Sequence, residues 1–432
     1  MTALYSTLQR ISRNTLARNA GWMMAGQGFS LLLQAAYFVI LARLLGVLEY
    51  GIFAGAFAFS SLIAQYSSLG TGTILLRYVA GNPRAFSLYW GNVLVMTLGL
   101  GSVFTLGLHF LGSHLLNPRS ATLVIPAGIA NCICTQLMTE TGRAFQAFEK
   151  MRTTAFVNLL LNLIRTLTAG VMLMIFHHVN AYTWAVASMS ISILVAVVAA
   201  TIASRYLGLP KPNLKLLLER GWEGFGYSFA ASTSSVYNDI DKTLLSHYGM
   251  NKANGIYTMA YRILDISTIP IIALRDAALP RLFQRGRTGL AQVVELTDKL
   301  LKKTLPASAG ISLLLFACAP VVPRIVGHNF TEAVLVLRWL CLMPVFRCIH
   351  QMSGSALTCS GLQSYRTLAQ ISAAGLNLGL NLWLIPIYGW RGAAWSSLAT
   401  DGSLGVMNWL LVFTLNSGII RRFAKRNSAE NL

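Results

Sequence analysis

Stretches of twenty or more residues with almost no charge recur along this chain from about residue 19 to residue 420, and they constrain it more than any motif does. About 20 apolar residues let a helix cross a bilayer, and in hydrocarbon a spanning segment must satisfy its own backbone, which a helix does. Runs bounded by Arg, Pro or Gly clusters place twelve candidate spans at 19–45, 50–76, 86–113, 120–146, 154–177, 181–203, 223–248, 253–282, 304–327, 331–359, 365–388 and 391–420. Twelve spans take up roughly 240 residues, close to the hydrophobic 55% of the 432. Only 11% of residues are charged, against about 25% in a soluble domain. What remains is too short for a folded soluble domain. The expected fold is an all-α polytopic membrane protein with twelve transmembrane helices.

A net charge of +20 would suggest nucleic acid in a soluble protein. Here the excess lies in short loops between apolar runs, and no basic patch is interleaved with aromatics, so no nucleic-acid partner is expected. Counted by alternate loops, twenty-three Lys and Arg fall on one side and five (Arg43, Arg119, Lys252, Arg324, Arg391) on the other. One missed span would scramble such a split. By the positive-inside rule both termini are cytoplasmic. The run after Arg18 is too long for a signal-peptide core and reads as a retained first span. The six cysteines lie in or beside apolar runs with no metal-ligand spacing, so neither disulfides, zinc nor any cofactor is expected.

The longest cytoplasmic connection, about 204–223 with Pro210 and Pro212, divides the chain into an N-terminal lobe at 1–208 and a C-terminal lobe with a basic tail at 209–432. The halves repeat weakly. Leu45-Gly46 followed by Gly51-Ile52-Phe53 answers Tyr248-Gly249 followed by Gly255-Ile256-Tyr257, and Arg152-Thr153 answers Arg366-Thr367. Six spans per half make both halves enter the membrane in the same direction, so two pseudo-symmetric lobes with a cavity between them are expected, a transporter architecture.

Polar residues inside the spans are arranged by face. In the seventh span Ser228, Ser232, Ser235, Asp239, Lys242 and Ser246 recur at intervals of three and four, lining one side of a helix. The first span repeats the pattern with Gln27, Ser30, Gln34 and Tyr37; Asn158, Asn162 and Arg165 sit in the fifth, Gln370, Asn377 and Asn381 in the eleventh. Single residues of this kind commonly bond helix to helix, whereas whole stripes point to a wet cavity. Charges at mid-membrane cost about 2.5 to 3.5 kcal/mol each on insertion scales. The spans hold six cations, Arg165, Lys242, Arg262, Arg275, Arg338 and Arg347, against Glu140, Asp239, Asp241, Asp265, Asp276 and Asp401. Asp239 with Lys242, Arg262 with Asp265 and Glu140 with Arg143 are spaced to pair on one helix. The six cations, with Gln27, Gln34, Asn158, Asn162, Asn377 and Asn381, are the candidate substrate-binding set. Arg165, Arg338 and Arg347 have no acid nearby on their own helices and are the candidates to meet an anionic ligand. Asp239, Asp241, Asp265 and Asp401 are candidates to bind a coupling proton or sodium ion. Catalytic constellations are absent: no phosphate-cradling loop, metalloprotease helix or serine elbow occurs, and His177-His178 reads as loop surface.

Several stretches resemble one family. Asp241-Lys242-Thr243-Leu244-Leu245, Tyr248-Gly249, Gly255-Ile256-Tyr257 and Ala260-Tyr261-Arg262 resemble the middle of Wzx-type polysaccharide and oligosaccharide flippases of the multidrug/oligosaccharidyl-lipid/polysaccharide (MOP) exporter superfamily. Pro270 with Ala278-Leu279-Pro280, Leu384-Ile385-Pro386-Ile387-Tyr388-Gly389 with Gly392-Ala393-Ala394-Trp395, and the start from Asn19 to Gly51 resemble its other signatures. The resemblance implies a MATE-like pair of six-helix lobes that moves an undecaprenyl-diphosphate-linked oligosaccharide, such as an O-antigen repeat unit, out across a bacterial inner membrane. It also implies an ion gradient as driving force, and membrane lipid, a polysaccharide polymerase and chain-length proteins as partners. Tyr37, Tyr237, Tyr257 and Tyr261 could stack on sugar. A drug or metabolite antiporter of the same superfamily is the nearest rival. A membrane polymerase or glycosyltransferase would need a catalytic acid on a large outer loop, and the outer loops here are short, so the chain is expected not to be an enzyme.

Overall fold

A computed structural model describes residues 2–286 and 289–417, with side chains from Gly26 onward except those at 27, 158, 230 and 234. The basic tail beyond residue 417, the side chains of Arg10, Arg13 and Arg18, and those of Gln27 and Asn158 lie outside the described residues. Among the described residues there is no strand. Sixteen α-helices follow one another: α1 Thr2–Ala64, α2 Thr71–Val79, α3 Phe86–Leu115, α4 Pro118–Ala121, α5 Val124–Gly128, α6 Gln136–Ala147, α7 Met151–Phe176 and α8 Ala181–Leu207. Then come α9 Leu214–His247, α10 Asn251–Gly286, α11 Leu290–Cys318, α12 Val322–Val326, α13 Ala333–Leu340, α14 Met343–Cys359, α15 Gln363–Tyr388 and α16 Trp390–Asn416.

A helical segment stands at each of the twelve expected spans, but among the described residues eight stretches are apolar and long enough to count as crossings by length and composition: 28–64, 83–115, 151–176, 181–207, 290–326, 333–359, 363–388 and 390–416. The difference has physical causes. The first and second expected spans are two helical stretches of α1 that meet at a kink, where Gly46 takes the non-helical φ 68 and ψ 174. The second is then broken by Leu69 and Gly70, both at positive φ. The fourth is divided into α4, α5, a π-helical stretch Ile129–Thr135 and α6. The remaining two, α9 and α10, are 34 and 36 residues long but carry the Asp, Lys and Arg residues of the seventh and eighth spans. The chain is nevertheless a multi-pass membrane protein with an all-α fold.

The chain forms two compact units, residues 1–235 with 246–255 and residues 236–245 with 256–432. In the first, Phe86 and Trp90 of α3 pack with Leu75 of α2, Phe145 of α6 and Ala196 and Ala199 of α8. The connection after α8 is held to α3, where Lys211 N donates to Ser87 O at 2.8 Å and Asn213 N to Asn92 Oδ1 at 2.7 Å. In the second, Leu282, Val293, Leu357 and Val412 join α10, α11, α14 and α16. Large apolar side chains such as Phe110, Met174, Leu313 and Trp383 are exposed on the outside, as expected where the solvent is lipid.

The repeated glycines of the sequence meet within the first unit. A side chain on Gly51 would come 1.8 Å from Asn251 O, and one on Gly255 2.1 Å from Val47 O. Around them Asn254 Nδ2 donates to Gly51 O at 3.0 Å, and Asn117 Nδ2 to Asn251 Oδ1 at 2.8 Å. This backbone-to-backbone approach has no flexible atom that could yield, so Gly51→Leu is expected to destabilise the protein by about 1–3 kcal/mol or more. Thermal unfolding of the purified variant in detergent measures it, with Gly99→Leu, whose added Cβ meets nothing within 4 Å, as the neutral comparison.

Candidate functional site

The second unit gathers charge from helices α9, α10, α14 and α16 into one network. Two short spacings begin it. On α9, Lys242 lies three residues after Asp239 and next to Asp241; its Nζ is 3.1 Å from Asp239 Oδ1 and 3.6 Å from Asp241 Oδ1, and it also donates to Asn238 O. The Lys242 side chain is only 4% exposed and that of Asp241 fully buried, so each neutralises a charge that would otherwise be costly to hold there. Asp241 is held further by α10 and α16: Tyr257 Oη donates to its Oδ2 at 2.5 Å, and Ser397 Oγ lies 3.0 Å from Tyr257 Oη and 3.4 Å from Asp241 Oδ2.

One helical turn after Tyr257, Tyr261 links this group to a second. Lys242 Nζ sits over its ring at 4.4 Å, and its hydroxyl accepts from Arg347 on α14 at 2.9 Å. Arg347 also donates to Asp265 Oδ1 at 2.8 Å, and its Nε is 3.5 Å from Asp401 Oδ2. Arg262 completes the set with NH1 at 3.8 Å from Asp265 Oδ2. Among the described residues, four acids, Asp239, Asp241, Asp265 and Asp401, thus lie with three basic side chains, Lys242, Arg262 and Arg347. His350, on the same face of α14 as Arg347, places Nε2 3.7 Å from Asp401 Oδ1.

All four acids proposed for ion binding therefore lie in one network, with Lys242, Arg262 and Arg347 from the cationic set. Other candidates lie elsewhere. Arg275 is tied to its neighbour Asp276 at 2.7 Å and to Gln351 at 3.2 Å. Arg338 is exposed on α13 and rests over the Phe316 ring at 5.0 Å, the snorkelling arrangement of a long cation at an apolar surface. Asn377 and Asn381 are fully buried: Asn381 Nδ2 donates to Asn377 Oδ1 at 2.9 Å, and Asn377 Nδ2 to Thr400 Oγ1 at 2.9 Å, tying α15 to α16. In the first unit Arg165 donates to Ser192 Oγ at 2.7 Å, and no acid partners it among the described residues. Asn162 donates to Ser30 Oγ at 2.9 Å, and Gln34 is half-buried on α1. Glu140, fully buried, takes Arg143 on both oxygens at 3.0 Å, its carboxylate lying against Gly72.

Two participants escaped the reading of the sequence. His350 and Ser397 carry no charge pattern, although His350 stands three residues after Arg347, a spacing that could have drawn attention to it. Tyr257 and Tyr261 were noted as surfaces for sugar, but their hydroxyls are engaged with Asp241 and Arg347. Replacing Tyr257 by Phe removes the hydrogen bond to a buried carboxylate, at a cost of about 1–3 kcal/mol. Thermal unfolding should show that loss, and the double variant Tyr257→Phe with Asp241→Asn should lose less than the sum of the two singles if the pair is coupled.

Comparison with known proteins now places the chain. Residues 16–285 match the model of a family described as polysaccharide biosynthesis protein. No curated protein matches the chain. Among solved structures it is similar to an inward-facing multidrug resistance MATE family transporter of the MOP superfamily, with TM-score 0.72 and 14% identity over 90% of this chain and 96% of that one. It is also similar to a MOP superfamily transporter from Pyrococcus furiosus whose binding pocket is described as reversed in polarity, with TM-score 0.62 and 14% identity over 94% and 96%. An outward-facing MATE transporter gives TM-score 0.61 and 15% identity over 93% and 96%. At these identities the likeness is one of fold. The twelve helical segments are those of the MATE architecture, and the chain belongs to the polysaccharide biosynthesis protein family.

Proposed function

We propose that this protein is a Wzx-type flippase that moves an undecaprenyl-diphosphate-linked oligosaccharide, an O-antigen or related surface polysaccharide repeat unit, across a bacterial inner membrane with both termini cytoplasmic. The observation that carries the reading is the largely buried network of Asp239, Asp241, Lys242, Tyr261, Asp265, Arg347 and Asp401, with Asp239 and Asp265 partly exposed, in helices of a family tied to polysaccharide synthesis. A diphosphate calls for Arg and Lys, and sugar hydroxyls for carboxylates and tyrosines, and these residue types are present together in the network. The gathering of four acids in one network supports coupling to a proton or sodium gradient, with the acids exchanging the ion.

Export of a drug or metabolite is the second reading, favoured by the fold shared with multidrug transporters. The two separate in one experiment. In cells lacking the gene, lipid-linked sugar accessible from the periplasm is measured together with tolerance of cationic dyes. Loss of periplasmic exposure with unchanged dye tolerance supports flipping; the opposite pattern supports drug export. Arg347→Glu places a negative charge beside Asp265 and Asp401 and should abolish complementation while the protein still inserts. Normal surface polysaccharide in those cells would remove Arg347 from the transport path. Asp239→Asn should uncouple transport from the ion gradient, and transport that keeps its full gradient dependence would free Asp239 from that role.

A further inference from the structure

An anion taken into the membrane region needs cations whose charge is not already spent. In the acid network Lys242 is shared by Asp239 and Asp241, and Arg347 by Asp265 and Asp401. A phosphate arriving there would meet the carboxylates too, and like charges at short range repel. Less encumbered cations lie further along α14. Arg347, Gln351, Gly354 and Thr358 recur at intervals of four, three and four, so they share one face of that helix. Arg275 of α10 donates to Gln351 Oε1 at 3.2 Å. Arg366, in the first turn of α15, donates to Thr358 Oγ1 at 2.7 Å and lies against Gly354, where a Cβ would come 3.0 Å from its Nε. Two arginines from two helices therefore meet neighbouring turns of α14, near enough for their charges to repel.

Neither is firmly neutralised. Arg366 bonds to an uncharged hydroxyl, and among the described residues no acid pairs with it. Arg275 pairs with Asp276 at 2.7 Å, but that carboxylate is 50% exposed, and an ion pair open to solvent holds its cation weakly. Both arginine side chains are themselves partly exposed, so an incoming group can reach them. Guanidinium forks match the paired oxygens of phosphate. Gln351 and Gly354 stand one turn apart, about 5–6 Å, so forks at these two places suit two linked phosphates better than one. From Gly354 back to Arg347 is seven residues, about 10 Å of helix. A sugar attached to phosphates at the first place would reach the carboxylates and tyrosines at the second, and Tyr237 of α9 lies close enough to feel the charges of Arg366, Arg347 and Asp401.

We propose that Arg275 and Arg366 seat the diphosphate of the lipid-linked substrate against the Gln351 and Gly354 turns of α14, with its sugar extended toward the acid network. The proposal rests on the flippase reading for the identity of the ligand. Asp276 is then a competitor of the substrate, because it occupies the guanidinium that the diphosphate needs.

Full-length protein in detergent is titrated with undecaprenyl diphosphate carrying one hexosamine, with the same sugar on undecaprenol without phosphate, and with phosphatidylglycerol, and bound lipid is measured by native mass spectrometry. Arg366→Gln should weaken binding of the diphosphate probe by about tenfold and leave the phosphate-free probe unchanged. Asp276→Asn should strengthen binding of the diphosphate probe by about threefold, the opposite sign. Arg152→Gln removes the same charge from the exposed position that answers Arg366 in the sequence repeat, and should change neither. If Arg366→Gln does not fold, Gly354→Ala, whose Cβ pushes the guanidinium aside while keeping its charge, is scored the same way. Diphosphate binding that these variants leave unweakened, an equal loss for phosphatidylglycerol, an equal effect of Arg152→Gln, or weaker binding by Asp276→Asn overturns the proposal. The expected pattern of binding, in a protein whose deletion leaves periplasmic exposure of lipid-linked sugar unchanged, would keep the diphosphate seat and reject the flippase reading alone.

Discussion

Charge placed away from water must find a partner, and that requirement organises the second unit of this protein. Asp241 and Lys242 are buried side by side, and neither is tolerable without the other or without Tyr257 and Ser397. Arg347 is likewise held by Asp265, Tyr261 and Asp401 from three directions. The helices α9, α10, α14 and α16 are thus tied by polar contacts where lipid-soluble proteins usually rely on small residues and close packing. Adding a cation or a proton changes the balance of the whole set, because Tyr261 lies between Lys242 and Arg347 and senses both.

The first unit meets the same requirement differently. Glu140 is neutralised within its own helix by Arg143 and lies against the bare α-carbon of Gly72. Here close backbone approach does most of the work, as at Gly51 and Gly255. Polar links in this unit are separate pairs, such as Arg77 with Glu223 and Asn117 with Asn251, whereas in the second unit they join four helices in one network.

Much of this was legible because the bilayer restricts the vocabulary. Length and apolarity located a helical segment at every expected span, and the Asp239–Lys242 and Arg262–Asp265 spacings foretold ion pairs that the structure contains. Long-range partners were not legible, since the meeting of Arg347 with Asp265 depends on how α10 and α14 pack rather than on either sequence. The same holds for Asn377 and Asn381: a polar stripe looks alike whether it faces water or a neighbouring helix, and these two face α16. The helices α9 and α10 stand at the seventh and eighth expected spans although their charges make them the least apolar of the long helices. Gly70-Thr71-Gly72 is both a bend and a packing element, Gly70 turning the chain at φ 65 and Gly72 making room for Glu140.

The π-helical stretch Ile129–Thr135 left no trace in the sequence, because the same residues serve an α-helix equally well. Its wider turn works as a phase shift: relative to a regular helix, everything from Gln136 onward is rotated by about one residue, or 100°. Thr135 Oγ1 bonds back to Ala130 O, five residues earlier, and helps to hold the widened turn. The orientation of Glu140 toward Gly72 is therefore set upstream of Glu140 itself. Losing a single residue from 129–135 would leave every side chain of α6 unchanged in kind yet turn that acid out of its niche, so the spacing of this segment is as much a part of the first unit's chemistry as the carboxylate.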